Sequence, residues 1–179
     1  MIPFFSIITR TFAGREQLLE RCRASVSEQT FADVEHIIVR DEQRAGVAAA
    51  QLLMHHVKPR GQFVFVLDDD DFLSNYDVLE RLRDALITAG KPPFAIVRVN
   101  HGILGDMPLC AWGERPHEGQ ITVSNAVVRH EIWYATRTAF TAQYAGDFSW
   151  IDKLFEDWAP SWLDLVVVDV ETMRNGATA

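Results

Sequence analysis

Four consecutive carboxylates, Asp68, Asp69, Asp70 and Asp71, follow an unbroken apolar run from Phe63 to Leu67. Adjacent like charges repel, and no fold needs four of them together. A cation is their natural complement. Hard divalent cations prefer carboxylate oxygens, and Mg²⁺ typically combines one or two carboxylates with the phosphates of a substrate. The residues therefore predict a metal–phosphate site, against the plainer reading of a solvated acidic turn. Two further carboxylates stand at comparable places. Asp41 closes the apolar stretch Val34 to Val39, and Asp147 opens an amphipathic stretch that ends at Pro160.

The surrounding sequence says what positions these groups. Phe63 to Leu67 reads as a fully buried strand, because a short continuous run rich in Val and Phe suits a parallel sheet covered on both faces. Phe4 to Thr9 and Val34 to Val39 are two more strands. Between the three strands lie an amphipathic helix from Arg15 to Gln29, with Leu18, Leu19, Cys22 and Val26 on one stripe, and a second helix from Val47 to Val57. Strands alternating with helices give a parallel α/β sheet with helices on both faces. In such sheets ligands bind beyond the carboxyl ends of the strands. Asp41 and the Asp68–Asp71 cluster are both expected on that edge.

Further along, Ser74 is expected to cap a helix carrying Val78, Leu82 and Leu86 and ending near Gly90. Phe94 to Val99, Ile121 to Val128 and Leu163 to Val170 read as strands. The glycine- and proline-rich stretch 100–120 reads as loops and antiparallel pieces. A last helix carries Trp150, Ile151, Leu154, Phe155 and Trp158 on its buried stripe. The tail from Arg174 is expected to fray.

With 179 residues, the chain fits one domain. Its net charge of −8 argues against nucleic acid or an anionic membrane as the main partner, but a metal could still admit a nucleotide. No apolar run approaches the ~20 residues of a membrane span, and the N-terminus lacks a basic region and cleavage site. A cytoplasmic, non-transmembrane protein is expected. Cys22 and Cys110 read as free thiols, and the six histidines show no metal-ligand spacing.

These stretches, in this order, resemble the family 2 glycosyltransferases of the GT-A fold. The family's Ser-Val-x-x-Gln-Thr helix end matches Ser25-Val26-Ser27-Glu28-Gln29-Thr30. Its apolar strand ending in Asp matches Ile37-Ile38-Val39-Arg40-Asp41-Glu42. Its Gly-x-Ala-Ala-Ala helix start matches Gly46 to Ala50, and its aspartate signature matches Asp68 to Asp71. In the second half, Val127-Val128-Arg129 and Gly146-Asp147 also match. There are two departures. Gln51 stands where many members place an Arg that meets the donor diphosphate, with Arg44 or Arg10 as stand-ins. Gly146-Asp147 replaces the usual Glu-Asp.

The resemblance implies a GT-A, Rossmann-like α/β fold with a mainly parallel sheet and a small, antiparallel or loop-rich C-terminal half. It implies a single domain, with about 1–93 binding the nucleotide sugar and about 94–179 facing the acceptor. The activity it implies is transfer of a sugar, with inversion, from a nucleotide-diphosphate donor to a hydroxyl of a glycan, lipid or small molecule. The cofactor would be a divalent metal, Mn²⁺ or Mg²⁺. Asp70 would be the main metal ligand, with Asp68 on the ribose or a metal-bound water and Asp71 assisting. Asp69 would point away, since neighbours on an extended segment face opposite sides.

Asp41 would accept the N3–H of uracil or thymine, which favours UDP- or dTDP-sugars; guanine also presents donors to a carboxylate, and a salt bridge to Arg40 or Arg44 is the plainer alternative. Thr9 and Arg10 would line the base pocket. For the general base the choice is among Asp147, Asp152, Glu156 and Asp157. Asp152 is expected to face solvent, and the last two sit at a helix C-terminus, where negative charge is disfavoured. Asp147 is the expected base, with a plain helix-capping role as its alternative. Trp112 and Trp133 could stack on an acceptor sugar or belong to the core.

Two other functions fit parts of the sequence. A GT-A-like module could bind nucleotide and metal without turnover. A haloacid-dehalogenase-like phosphatase would use Asp68-x-Asp70 and Gly146-Asp147, but Phe72 stands where that family has Thr or Val, and the motif falls on the third strand instead of the first.

Overall fold

Alternation of apolar residues along β1 (Phe5–Phe12) sends successive side chains to two separate cores, and both faces of the sheet are covered as a result. The computed structural model describes residues 2–42, 51–143 and 145–170. The expected helix start at Gly46–Ala50, the stand-in Arg44 and the tail from 171 lie outside them. After β1 come α1 (Glu16–Ser27), β2 (Val34–Asp41), β3 (Phe63–Val66), β4 (Asp71–Leu73), α2 (Val78–Thr88) and β5 (Phe94–Asn100). The second half holds β6 (Asp106–Met107), β7 (Ala126–Arg129), α3 (His130–Thr136), α4 (Gly146–Asp157) and β8 (Ser161–Val170).

Among the described residues these eight strands form one mixed sheet in the order β2-β1-β3-β7-β5-β8-β4, with β6 paired to β5. The first three strands are parallel, as alternating strands and helices require. Beyond β3 the ladders are antiparallel, except that β8 runs parallel to β5. One core packs α1 and α2 on the sheet through Cys22, Val26, Leu79, Leu82 and Leu86. The other packs α3, α4 and Met54 through Ile132, Trp133, Trp150, Ile151 and Leu154. No helix among the described residues is long and apolar enough to cross a membrane.

Several expected boundaries move. Ser74 does not cap α2: its hydroxyl donates to the Val166 carbonyl (3.0 Å), and the helix starts after Asp77 without a side-chain cap. In place of one strand from Ile121 to Val128, a 3₁₀ turn at Val123–Asn125 precedes the short β7. Of the helix expected from Val47 to Val57, the described part is a helical end at 51–53 and a 3₁₀ turn at Met54–His56. The strand β4 and the helix α3 have no counterpart in the expected elements, whereas β6 is one of the antiparallel pieces expected in 100–120. Trp133 is fully buried against Trp150, and Trp112 packs edge-on to Trp162 under the Arg98 guanidinium.

Candidate active site at the carboxyl edge of the sheet

Register places the acidic groups. Val66 lies opposite Ile8 in the β1–β3 ladder, and the Leu67 N–H donates to the Ile8 carbonyl, so Asp68 emerges beside Arg10. The longer β2 carries Asp41 to the level of Phe12, where it is buried. The helix-end motif then fixes the chain that follows the aspartates. Ser25 Oγ accepts the Leu73 N–H (3.1 Å), and the Gln29 amide donates to the Asn75 carbonyl (2.7 Å) and accepts the Leu79 N–H (3.1 Å). The motif is therefore a clamp on the segment leaving the site.

The four aspartates have different partners. Asp68 is held by Arg10: Nε and Nη2 donate to Oδ1 (2.9 and 2.5 Å), and Nη2 also donates to Oδ2 (2.8 Å). Asp69 takes Arg15 Nε on both oxygens (2.9 Å each), and Arg15 Nη2 reaches Oδ1 of Asp69 and Oδ2 of Asp70 (2.7 Å each). Asp71 opens β4, is buried, and accepts from Ser124 Oγ (3.0 Å). Asp69 thus turns toward the same cleft as Asp68 and Asp70, contrary to the strict alternation expected. The extended run ends at Leu67, and a turn closed by the Asp71 N–H on the Asp68 carbonyl (3.0 Å) breaks the period of two.

Arg10, Thr11, Phe12, Arg15, Asp68, Asp69 and Asp70 line an open cleft of about 140 Å³. Two polar atoms of residues that line it, Arg10 Nη1 and Thr11 Oγ1, are themselves buried and have no hydrogen-bond partner among the described residues. Such orphans are expensive in the absence of a ligand. Burial raises the pKa of Asp68, with Arg10 pulling the other way. Asp71 is held well above the usual carboxylate range by burial first and then by the charges of Asp68 and Asp70, so its protonated form is favoured. Burial works against the Arg15 cation, but its hydrogen bonds to Asp69 and Asp70 outweigh that and raise its pKa.

The other expected site residues fall into two groups. Asp147 lies in the first turn of α4, where its Oδ1 accepts the Phe148 N–H (2.9 Å). Its charge raises the pKa of both Arg10 and Asp68, and it is not one of the residues that line the cleft. Thr9 lies on the opposite, α1 side of β1, bonded to His36 Nε2 (2.8 Å) and close to Cys22 Sγ (3.5 Å). Asp152 pairs with Arg115 at the surface, and Glu156 and Asp157 pair with Lys153. Arg40 pairs with Glu16. Gln51 is buried. In the amide orientation that satisfies its neighbours, it donates to the carbonyls of Thr141 (2.5 Å) and Gln143 (3.2 Å), beneath the loop that delivers Asp147.

Sequence reasoning missed Arg15. A signal existed: a cation at a helix start meets the positive end of the helix dipole, an unfavourable placement without a local anion.

As a donor set for a hard cation, Asp68 and Asp70 have the right chemistry. Their carboxylates are 30 % and 43 % exposed, whereas Asp69 and Asp71 are buried. Among the described residues no group of three acidic, His or Cys side chains is placed to hold a metal ion, so two carboxylates together with substrate phosphates are the arrangement left to this edge.

No protein-family model and no curated protein sequence match the chain. Solved structures do match. TarS residues 1–349 from S. aureus in complex with UDP superimposes with a TM-score of 0.68 at 12 % identity, over 93 % of this chain and 60 % of that one. The same fragment with UDP-GlcNAc gives 0.67 at 12 % identity, over 97 % and 59 %. The mannosyltransferase PcManGT from Pyrobaculum calidifontis with GDP-Man and Mn²⁺ gives 0.63 at 14 % identity, over 98 % and 59 %. The chain spans about 60 % of the length of these proteins and has the GT-A-like glycosyltransferase fold.

Proposed function

On this GT-A frame, we propose that the chain is a metal-dependent glycosyltransferase domain acting on a nucleotide-diphosphate sugar. UDP- or dTDP-sugars are the favoured donors, and the acceptor is a hydroxyl of a glycan, lipid or small molecule. The observation that carries this reading is the gathering of Asp68, Asp69 and Asp70 with Arg10 and Arg15 around one cleft at the carboxyl edge of the sheet. About residues 1–93 serve the donor and about 94–179 the acceptor.

The acceptor oxygen attacks the anomeric carbon opposite the diphosphate, giving inversion. The bond from that carbon to the diphosphate breaks, and its electron pair leaves with the diphosphate. Asp147 takes the acceptor proton. Asp70 and Asp68 would hold Mn²⁺ or Mg²⁺, which supplies charge stabilisation of the leaving phosphates. Arg10 orients Asp68 through its three hydrogen bonds. Asp71, buried on Ser124, braces β4 and does not reach for the ligand. Asp41 accepts the base N3–H.

The test is release of UDP, dTDP or GDP from their sugars with and without Mn²⁺. Asp147→Asn should lower turnover by roughly 10²–10⁴-fold and leave donor affinity intact. A variant as active as the parent would remove Asp147 from its role. Failure of every nucleotide diphosphate to bind, with or without Mn²⁺, would overturn the reading.

One observation favours a second reading, a nucleotide-binding module without turnover: Gln51, where the resemblance leads one to expect a phosphate-binding Arg, is spent on two backbone carbonyls. Metal-dependent UDP binding without hydrolysis of any donor would favour it. A phosphatase is disfavoured, because the aspartates follow β3, the third strand of the parallel set in chain order, whereas that reading needs them on the first.

A further inference from the structure

The cleft lining contains two cations with opposite character. Arg10 is 6 % exposed and committed to Asp68 through Nε and Nη2, so it is a fixed part of the floor. Arg15 is 23 % exposed, stands at the entrance with its guanidinium 5.0 Å from the Phe12 ring centroid, and serves two carboxylates at once. It also sits where a cation is least favoured and an anion most favoured, at the amino end of the twelve-residue helix α1. The preceding Gly14 is in the left-handed region (φ 96°), with open space around its α-carbon, so the chain entering Arg15 is unobstructed.

We propose that Arg15 is the residue that receives the donor's diphosphate, and that it does so by leaving Asp69 and Asp70. This rests on the nucleotide-diphosphate reading of the site. The exchange is balanced in charge. Asp69 and Asp70 share a single guanidinium. A divalent cation at Asp70 makes Arg15 surplus there, and a diphosphate offers it the bidentate oxygens that guanidinium geometry suits. Arg10 and Thr11 line the same cleft, and their buried, unpartnered Nη1 and Oγ1 would reach phosphate oxygens once the lining shifts on binding. A volume of about 140 Å³ suits a diphosphate, being smaller than the ~300–1,000 Å³ typical of whole-ligand sites. Arg15 would thereby do for the donor what Gln51, bonded to the carbonyls of Thr141 and Gln143, cannot.

This assignment makes the two ligands depend on Arg15 with opposite sign. Titration calorimetry of the full chain with Mn²⁺ alone, with pyrophosphate plus Mn²⁺, and with UDP plus Mn²⁺ reads both. Arg15→Ala should bind Mn²⁺ alone more tightly, because its competitor for Asp70 is gone. The same variant should bind UDP and pyrophosphate roughly 10- to 100-fold more weakly, the worth of a lost charge-assisted pair. Arg15→Lys should fall between, keeping charge without the fork. Melting temperatures of both variants report their folding.

Weakening of Mn²⁺ and diphosphate together would mean that Arg15 only organises the carboxylates, and the assignment would be wrong. Unchanged UDP affinity would also overturn it, while leaving the glycosyltransferase reading in place. If the parent binds pyrophosphate through Arg15 but no nucleoside diphosphate, the nucleotide reading fails and the anion role of Arg15 stands.

Discussion

Asp147 is positioned at the start of α4 by two residues outside the cleft lining. Gly146 admits no side chain: a β-carbon there would be driven into the Thr141 carbonyl oxygen and the end of the Gln51 amide. Gln51 in turn satisfies two loop carbonyls from inside the protein. Gly146→Ala should therefore cost about 1–3 kcal/mol of stability by overpacking, and Gln51→Ala a similar amount through unpaired carbonyls. Both should also lower turnover more than donor affinity, because the displaced group is Asp147. Denaturant unfolding beside kcat and KM checks this. A rise in KM with kcat unchanged would place the loop on the donor side. Gln51 shows the limit of reading residues by position: a motif alignment puts it at a phosphate, but whether a neutral amide at that position faces ligand or loop depends on a chain segment ninety residues on. The aspartates were more legible, since four carboxylates after a buried run leave few alternatives. That two arginines neutralise them was not legible, because Arg10 and Arg15 lie more than fifty residues away in sequence.

At the scale of elements, the parallel half followed directly from the pattern. Continuous apolar runs separated by amphipathic stretches admit few arrangements, and β1, β2 and β3 pair as expected. Short elements escaped, because three residues of strand (β4) and a seven-residue helix (α3) carry too little periodicity to read. β2 is an edge strand, and one of its cross-strand contacts has a pH signature. His36 packs beside β1 and bonds Thr9, and burial, then the charge of Arg23, lowers its pKa to about 4. In the folded protein the ring is therefore neutral at a pH where the unfolded chain, titrating near 6.5, has taken up a proton. The stability this contributes is complete above about pH 6.5 and is lost as pH falls toward 4. Urea unfolding at pH 7.0, 5.5 and 4.5 should show the parent losing on the order of 1–2 kcal/mol more than His36→Gln over that range. Parallel pH profiles for the two proteins would show that His36 titrates alike in both states.

At the scale of the whole molecule, an acidic chain is asked to bind an anion. The net charge of −8 repels a nucleoside diphosphate over the distance of approach, and only screening or local cations offset that. Within the cleft the arginines are already engaged by carboxylates. Nucleotide alone should therefore bind poorly, and a divalent cation should do more than add its own contacts: it relieves the carboxylates and frees guanidinium for phosphate. The expected outcome is strong coupling in thermal unfolding. UDP at a hundred times its dissociation constant in the presence of Mn²⁺ should stabilise the fold by about 2.7 kcal/mol. For a chain of this length that corresponds to a rise of roughly 5–10 °C in melting temperature. UDP without metal should give a small fraction of that rise, and Mn²⁺ without UDP should give less than the pair. Shifts from UDP and Mn²⁺ that merely add would mean that the two occupy the edge independently, with the internal ion pairs intact. A full shift from UDP alone would mean that Arg10 and Arg15 suffice for the phosphates, making the carboxylates structural.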